Sequence, residues 1–416
     1  MVCHGELARD RPPSRYLTEF YLWLAVGGVL GGVLNALIAP QLFDRIVEYP
    51  LVMVIACLLR PRAGAERAAQ APASTPPGSK RHAGGKTNPP GRARAATSRP
   101  RSGSLGWVVF GGFMGLIFFV QSLGGDPRFL RLSERNFYGV HRVKFDPEHN
   151  LIGLLHGTTV HGIQSRDPKL RQEPMSYFRR SGPIGQVFAA LQGPYFKRNI
   201  AVTGLGIGTL ASYVGVGQEL TYYEIDPTIE RIATDTTYFT YLADCRSRGA
   251  KLEIVLGDAR LQMTRFTGKY DLIILDAFSS DVAPVHLITR EAIRIYLDRL
   301  EDDGVLAIHI SSRYFRLAPV LAALAHDANL VCLFQNDQSL SPEDMRLGLA
   351  SSQWVVMARR PENLSTLWYD RRWVKVAADP RTRVWTDDYS NVLSAILWGG
   401  EAEAHLRATP TDGFRR

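Results

Sequence analysis

Residues 199–224 read NIAVTGLGIGTLASYVGVGQELTYYE, and this stretch decides the fold. An apolar strand runs into a loop with glycines at Gly204, Gly206 and Gly208, and a second strand signal ends at Glu224. Glycines in such a loop let the backbone approach a ligand at the start of a helix. An acid at the tip of the second strand, about 20 residues from the loop, suits the two hydroxyls of a ribose. The pair predicts a nucleoside-binding site; the alternative is a tight turn beside a solvated glutamate.

The next strand signal, KLEIVL (251–256), ends in Gly-Asp-Ala at 257–259. The carboxylate of Asp258 can accept a hydrogen bond from an adenine amino group, and the neighbouring backbone, up to Ala259, can read the ring edge. Three successive strand tips, glycine-rich, acidic and Gly-Asp, therefore predict a fold of the class I methyltransferase type that holds an adenosine-bearing cofactor.

Strand and helix signals alternate around this loop, which predicts an α/β domain with a parallel-rich sheet and helices on both faces. The predicted strands are 199–203, 220–224, 252–256, 271–275 and 304–310, and the predicted helices are 184–192, 208–216, 227–242 and 290–299. Upstream, residues 137–145 and 151–163 alternate in polarity around a polar turn, which predicts a small β-hairpin region. We therefore expect a small β-region over 124–198 and a Rossmann-like catalytic domain over 199–416.

The fourth strand tip carries two acids in the segment LIILDAFSSDVAPVHL (272–287). Asp276 ends an apolar strand, at the sheet edge where ligands bind, and Asp281 follows on a loop. Two carboxylates beside a sulfonium cofactor indicate a cationic acceptor such as an amine, whose proton a carboxylate can take. The alternatives are that Asp276 caps a helix or only lies near the cofactor.

The first part of the chain has two candidate membrane spans. Residues 20–43 form an uncharged run long enough to cross a hydrocarbon layer, within an N-terminal membrane segment at 1–59. Residues 105–123 are a shorter candidate for a second transmembrane helix, with a buried core helix as the alternative. Both flanks of the second span are basic, so the positive-inside rule leaves the orientation open.

Residues 60–104 are a basic, Pro-, Gly- and Ala-rich segment that predicts a disordered linker. This segment accounts for the whole net charge of +9, so the charge does not indicate a folded nucleic-acid surface. The four cysteines are far apart and have no histidine at metal-ligand spacing, so we expect no metal site.

Several motifs together resemble the spermidine synthase family, the polyamine aminopropyltransferases, and the whole chain resembles its bacterial membrane-fused branch. They are RNFYGVHRV (135–143), LLHGTTVHGIQ (154–164), SYF (176–178), GLGIGT (204–209), YYEIDP (222–227), GDA (257–259), LDAFSSD (275–281) and WTDDYSNVLS (385–394). Members of that branch have more membrane helices upstream, and the opening MVCHGELA (1–8) looks like a loop inside a longer form.

The resemblance implies roles for particular residues. Glu224 would hold the ribose and Asp258 the adenine, while Asp276 would take the amine proton and Asp281 would help to bind the amine. Tyr177 and Gln164 would correspond to the active-site tyrosine and glutamine of the family. For Tyr177, a packed aromatic at a strand edge is the alternative.

One position departs from the family pattern. Soluble spermidine synthases carry an aspartate in the first glycine loop that holds the amino group of the aminopropyl chain, and here Ile207 stands in its place. An apolar side chain cannot bind an ammonium group. Asp387 and Asp388 are alternative acceptors if the C-terminal segment folds over the pocket; otherwise they cap a helix.

The function that the resemblance implies is transfer of an aminopropyl group from decarboxylated S-adenosylmethionine to a polyamine such as putrescine. The leaving thioether is neutral, so no metal is required. The resemblance also implies a multi-pass protein of the bacterial inner membrane with its catalytic domain in the cytoplasm; a homodimer stays open. The alternatives are a methyltransferase that uses intact S-adenosylmethionine and a non-catalytic membrane sensor or scaffold.

Overall fold

The computed structural model describes residues 5, 7–8, 11–43, 45–58, 109–117, 127–157, 159–277, 284–312 and 314–397. It divides into two compact units, Met1–Gly124 and Gly125–Arg416. The predicted linker at 60–104 lies wholly outside the described residues, and so does Asp281.

The first unit contains a long apolar helix near its N-terminus. Helix α1 (Leu17–Val33) continues through a π-helical turn (Leu34–Ile38) into α2 (Ala39–Leu42). The continuous helix Ser14–Leu42 has 29 residues, and among the described residues it alone is long and apolar enough to cross a membrane. Its apolar side chains are exposed; Trp23, for example, is 66% exposed.

Two further helical segments belong to this unit. Helix α3 covers Glu48–Leu58. Residues 109–117 are helical, and they are the described part of the predicted second span at 105–123. The described residues therefore contain one candidate span, and the multi-pass prediction finds no support in them.

The second unit begins with a four-stranded antiparallel sheet in the order β1-β2-β3-β4. Its strands are β1 (Leu130–Asn136), β2 (Gly139–Asp146), β3 (Leu151–His156) and β4 (Thr159–Ser165). The prediction of one strand over 151–163 was wrong, because the chain turns at Gly157, whose φ is 61°. The alternation of apolar residues continues through this turn and hides it.

The main sheet has eight strands in the order β12-β10-β11-β9-β8-β5-β6-β7. The strands are β5 (Asn199–Thr203), β6 (Glu219–Glu224), β7 (Lys251–Leu256), β8 (Tyr270–Leu275), β9 (Leu300–His309), β10 (Val331–Asp337), β11 (Ser352–Ala358) and β12 (Val374–Lys375). Strands β5 to β9 are parallel, while β10, β11 and β12 join antiparallel. This is the strand order of the class I methyltransferase fold, so the predicted fold class is confirmed.

The helices of this unit are α4 (Pro183–Ala190), α5 (Pro227–Thr234), α6 (Tyr241–Ser247), α7 (Ala259–Arg265), α8 (Arg290–Asp298), α9 (Ala318–Asp327) and α10 (Pro342–Arg346). Four of these helices begin at a capping side chain, because Asp226, Asp258, Thr289 and Ser341 each accept a backbone N–H of the helix that follows. The predicted helix at 208–216 is only a 3₁₀ turn (Thr209–Tyr213), and the one at 227–242 is split into α5 and α6.

The order of the strands places the site. Strand β5 lies between β6 and β8, so the chain winds away from β5 first in one direction and then in the other. Ligands of open α/β sheets bind in the crevice outside the carboxyl ends of the strands at such a switch point.

Candidate functional site

A pocket lies at the carboxyl ends of β5, β6, β7 and β8, between the main sheet and residues of the small sheet. Its described lining contains acids, histidines and aromatic residues. These are Tyr138, His141, His156, His161, Tyr177, Gly204, Leu205, Gly206, Tyr223, Glu224, Ile225, Asp226, Ile229, Gly257, Asp258, Ala259, Asp276, Ala277, Pro284, His286 and Leu287.

The glycine loop is built for close approach of backbone segments. The φ angles of Gly204, Gly206 and Gly208 are 90°, 53° and 77°, in the region that side chains rarely adopt. A Cβ on Gly204 would lie 2.5 Å from the carbonyl oxygen of Asp276, and one on Gly206 would lie 2.8 Å from that of His161. The loop therefore packs directly against the end of β8 and against β4.

Glu224 stands at the tip of β6 and fixes the glycine loop. Its carboxylate accepts the backbone N–H of Leu205 at 2.9 Å and that of Asp226 at 2.9 Å. The residue is 8% exposed, and burial raises the pKa of its carboxyl above the usual value. Glu224 also lines the pocket, and a carboxylate can accept more than two hydrogen bonds, as a ribose contact requires.

Asp258 lies at the tip of β7 and begins α7. One carboxylate oxygen accepts the backbone N–H of Leu261 at 2.9 Å, and the other lies 3.1 Å from Nε2 of His286. Ala259 also lines the pocket. The carboxylate therefore acts first as a helix cap, and the adenine contact stays a prediction.

Asp276 forms the centre of a buried hydrogen-bonded group at the end of β8. Its Oδ1 lies 2.6 Å from Nδ1 of His309, and Nε2 of His309 lies 2.6 Å from the hydroxyl of Ser311. Burial raises the pKa of the Asp276 carboxyl, while His309 and a hydrogen bond from Tyr177 partly offset this. A carboxylate with a raised pKa is a stronger base than an exposed one.

Tyr177 completes this group. Its ring stacks on His309 with the centroids 4.5 Å apart, and its hydroxyl hydrogen-bonds Asp276. Burial and the adjacent carboxylate raise the pKa of Tyr177 well above its usual range, so the phenol keeps its proton and donates it. The preceding residue, Ser176, has a φ of 58°, a strained conformation of the kind that clusters at functional sites.

Sequence reasoning missed the histidines of this pocket. His141, His156 and His161 come from β2, β3 and β4 and line one wall, and Nε2 of His141 lies 2.7 Å from Asp226. The sequence shows that these are histidines, but their proximity depends on strand register, which periodicity does not give.

Gln164, predicted to contact the cofactor, is not among the residues that line the pocket. Its side chain is buried and bonds Thr240 through both ends, at 2.9 Å each, and also the carbonyl oxygen of Arg171 at 2.7 Å. The two hydrogen bonds to Thr240 thus hold β4 against the start of α6. Asp281 lies outside the described residues, so its role stays a prediction.

Ile207 points away from the pocket. Its side chain is 0% exposed, and a Cβ on Gly162 would lie 2.6 Å from its Cγ1, so it packs between the glycine loop and β4.

Asp387 binds Arg260 through two hydrogen bonds, at 2.8 Å and 2.5 Å, and accepts a third from Thr289. Asp388 is exposed. Neither aspartate is among the residues that line the pocket.

Comparison with known proteins gives a sequence relative for this site. No family model matches the chain. The chain is 30% identical over 162 residues to a polyamine aminopropyltransferase of Vibrio vulnificus, a match that covers 38% of this chain and 50% of that protein. Over that part of its length the chain is similar to a polyamine aminopropyltransferase.

The chain is also similar to a methyltransferase. It is 33% identical over 117 residues to an N-terminal histidine N-methyltransferase of Emericella nidulans, over 27% of this chain and 19% of that protein. The chain thus spans about half the length of the first relative, at 50%, and about a fifth of the second, at 19%.

Some solved structures are similar to part of the chain. One is a probable spermidine synthase from Corynebacterium glutamicum, with 17% identity and a TM-score of 0.42, covering 55% of this chain and 78% of that one.

Proposed function

We propose that this chain transfers an aminopropyl group from decarboxylated S-adenosylmethionine to a polyamine such as putrescine. The observation that carries the proposal is the buried group of Asp276, Tyr177 and His309 in the same pocket as Glu224. Such a pocket combines a nucleoside-binding edge with a base of raised pKa. The homology to a polyamine aminopropyltransferase supports the same activity.

The donor would lie across the switch point of the sheet. The glycine loop would face the sulfonium part, Glu224 would accept the ribose hydroxyls, and the backbone at Asp258 and Ala259 would face the adenine. These positions follow the strand tips in order from β5 to β7. Leu287 and Ile225 add apolar surface at the nucleoside end of the pocket.

In the reaction, the amine nitrogen attacks the methylene carbon beside the sulfonium. A C–N bond forms, and the C–S bond breaks with its electron pair passing to sulfur, which leaves as a neutral thioether. The proton lost by the nitrogen passes to the carboxylate of Asp276, for which burial favours the protonated form. Tyr177 and His309 hold that carboxylate in place through their hydrogen bonds.

A methyltransferase that uses intact S-adenosylmethionine is the second candidate. The burial of Ile207 favours it, because the loop position that holds the aminopropyl ammonium in soluble spermidine synthases offers no polar group here. The match to a histidine N-methyltransferase points in the same direction.

We further propose that the helix Ser14–Leu42 anchors the chain in the bacterial inner membrane, with the catalytic unit in the cytoplasm. The length and exposed apolar surface of that helix support the anchor. A cytosolic cofactor supports the orientation. The acceptor would be a small amine, and the active protein would be a homodimer.

The test is turnover by the purified full chain in detergent, with each donor in turn and with putrescine. Methylthioadenosine as the product supports aminopropyl transfer, whereas S-adenosylhomocysteine supports methyl transfer. If neither donor binds in a calorimetric titration, both enzymatic proposals fail.

A further inference from the structure

One wall of the pocket consists of three histidines in a row. The ring centroids of His141 and His156 are 5.0 Å apart, and those of His156 and His161 are 5.6 Å apart. His141 and His156 are direct partners in the antiparallel pairing of β2 with β3, so both rings lie on the same face of the small sheet. We call these three residues the histidine row.

A β-bulge brings the third ring into line. The pairing of β3 with β4 shifts register between Leu154 and Leu155, opposite Gly162 and Val160, and His161 is the extra residue between them. Such bulges re-aim a side chain and occur often beside active sites. The carbonyl of His161 also lies where any side chain on Gly206 would collide with it.

Two nitrogens of the histidine row are buried and have no hydrogen-bond partner among the described residues, namely Nδ1 of His141 and Nε2 of His161. Nε2 of His141 lies 2.7 Å from the Asp226 carboxylate, and in the neutral ring with its hydrogen on Nε2 the other nitrogen, Nδ1, keeps a lone pair. Buried polar atoms without a partner are rare in proteins and call for a ligand or an ordered water.

His156 and His161 favour the neutral state. Burial and the neighbouring histidines lower the pKa of His161 to about 3, and burial lowers that of His156. Neutral imidazole offers one nitrogen as an acceptor. No lysine or arginine lies among the described lining residues, so this wall offers little to an anion. Among the described residues, no group of three potential ligands has the geometry of a metal site.

The acids of the pocket are already partnered. Asp226, Asp258 and Asp276 lie 2.7 Å, 3.1 Å and 2.6 Å from a histidine nitrogen, and Glu224 binds the glycine loop. Position 207 supplies no acid, because isoleucine has an apolar side chain, and this side chain lies in the core. Among the described lining residues, Nδ1 of His141 and Nε2 of His161 are the buried side-chain polar atoms without any hydrogen-bond partner.

We propose that His141 and His161 bind the ammonium group of the amine substrate, accepting its N–H hydrogens on Nδ1 and Nε2, with His156 packed between them. The inference rests on the proposed amine-directed transferase. The ligand class is a primary amine with a positive charge, held by neutral acceptors inside an acidic pocket instead of by a dedicated carboxylate.

The test titrates putrescine into the full chain saturated with methylthioadenosine, by calorimetry. His161→Phe keeps an aromatic ring and removes the acceptor nitrogen, so the dissociation constant for putrescine should rise about ten- to hundred-fold, the usual effect of losing a hydrogen bond to a charged group. His161→Gln keeps an acceptor and should recover most of the affinity. Methylthioadenosine affinity should stay within about two-fold in both, a change of less than half a kcal/mol.

His149→Phe is the matched control, because His149 lies in the β2–β3 turn, bonded to Asp146 and outside the pocket; its putrescine affinity should equal that of the wild type. If the wild type binds no putrescine, both the proposed amine substrate and this subsite are overturned. If the wild type binds and His161→Phe binds equally well, the subsite alone is overturned. If His161→Phe binds S-adenosylmethionine more weakly but putrescine equally well, the histidine row binds the carboxylate of S-adenosylmethionine. That result would also overturn the proposed amine subsite.

Discussion

At the scale of single residues, Asp276 and its two partners decide whether the pocket can do chemistry. Its side chain is 9% exposed and that of His309 is 6% exposed, so water scarcely competes for their hydrogen bond. His309 is itself sandwiched between Tyr177 and Trp354, with ring centroids 4.5 Å and 4.9 Å away. The packing fixes the ring that orients the carboxylate.

Asp276→Asn should abolish turnover while donor affinity stays within a few fold. The amide keeps the shape of the carboxylate but cannot take a proton, and loss of a general base costs about 10²- to 10⁴-fold in rate. Steady-state kinetics and a donor titration measure the two effects. Asp302→Asn is the control, an exposed residue at the far end of β9. Unchanged turnover in Asp276→Asn would rule out this residue as the base.

His309→Gln should move the acid limb of the kcat/KM profile to higher pH. Asp276 works as a base only when ionised, so activity falls as pH drops through its pKa. His309 lowers that pKa, and its loss should therefore raise it further. The measurement is kcat/KM against pH, with the exposed His326→Gln as the control. If the acid limb of the kcat/KM profile stays in place or moves to lower pH, His309 does not lower the pKa of Asp276.

At the scale of elements, the loop between β5 and its 3₁₀ turn joins the main sheet to the small sheet. Its glycines touch the end of β8 on one side and β4 on the other. No α-helix follows the loop directly. Gly208 has a left-handed φ of 77°, and the next element is the 3₁₀ turn Thr209–Tyr213.

Gly204→Ala should weaken donor binding and lower the free energy of unfolding. The added Cβ would meet the carbonyl of Asp276 at 2.5 Å, at a φ of 90° that itself costs on the order of 1–3 kcal/mol. Denaturant unfolding and donor titration measure both effects. Gly215→Ala is the matched control, because an added Cβ there meets nothing within 4 Å. Equal stability of the two variants would contradict the geometry of the loop.

At the scale of the whole molecule, the helix Ser14–Leu42 exposes apolar side chains of the kind that the second unit buries in its main sheet. Val29 and Leu30 in the helix are 66% and 63% exposed, whereas the apolar side chains of β5 and β8 are almost fully buried. Exposed apolar surface of this extent indicates a membrane or protein partner.

The full chain should sediment with membranes and resist extraction at high pH. Val29→Lys combined with Leu30→Lys should release it, since a charge near the middle of a span costs about 2.5–3.5 kcal/mol. Immunoblots of membrane and supernatant fractions measure this. Leu170→Lys with Val216→Lys, at exposed apolar positions of the second unit, is the control and should stay in the membrane fraction. Wild-type chain in the supernatant would refute the anchor.

The sequence by itself determined the strand tips and their order. Gly204, Glu224, Asp258 and Asp276 all end parallel strands and line one pocket, because parallel strands present their carboxyl ends at the same edge of a sheet. Strand periodicity and helix start signals are local, so a single chain segment carries them.

Only the tertiary structure decided which side chains share a wall and which turn inward. Strand register pairs His141 with His156 and a bulge adds His161, while packing sends Ile207 into the core and commits Gln164 to Thr240. These outcomes depend on contacts between segments far apart in sequence, and local pattern carries no information about them. The sequence therefore predicted the strand-tip residues of the pocket, and the fold determined its histidine wall.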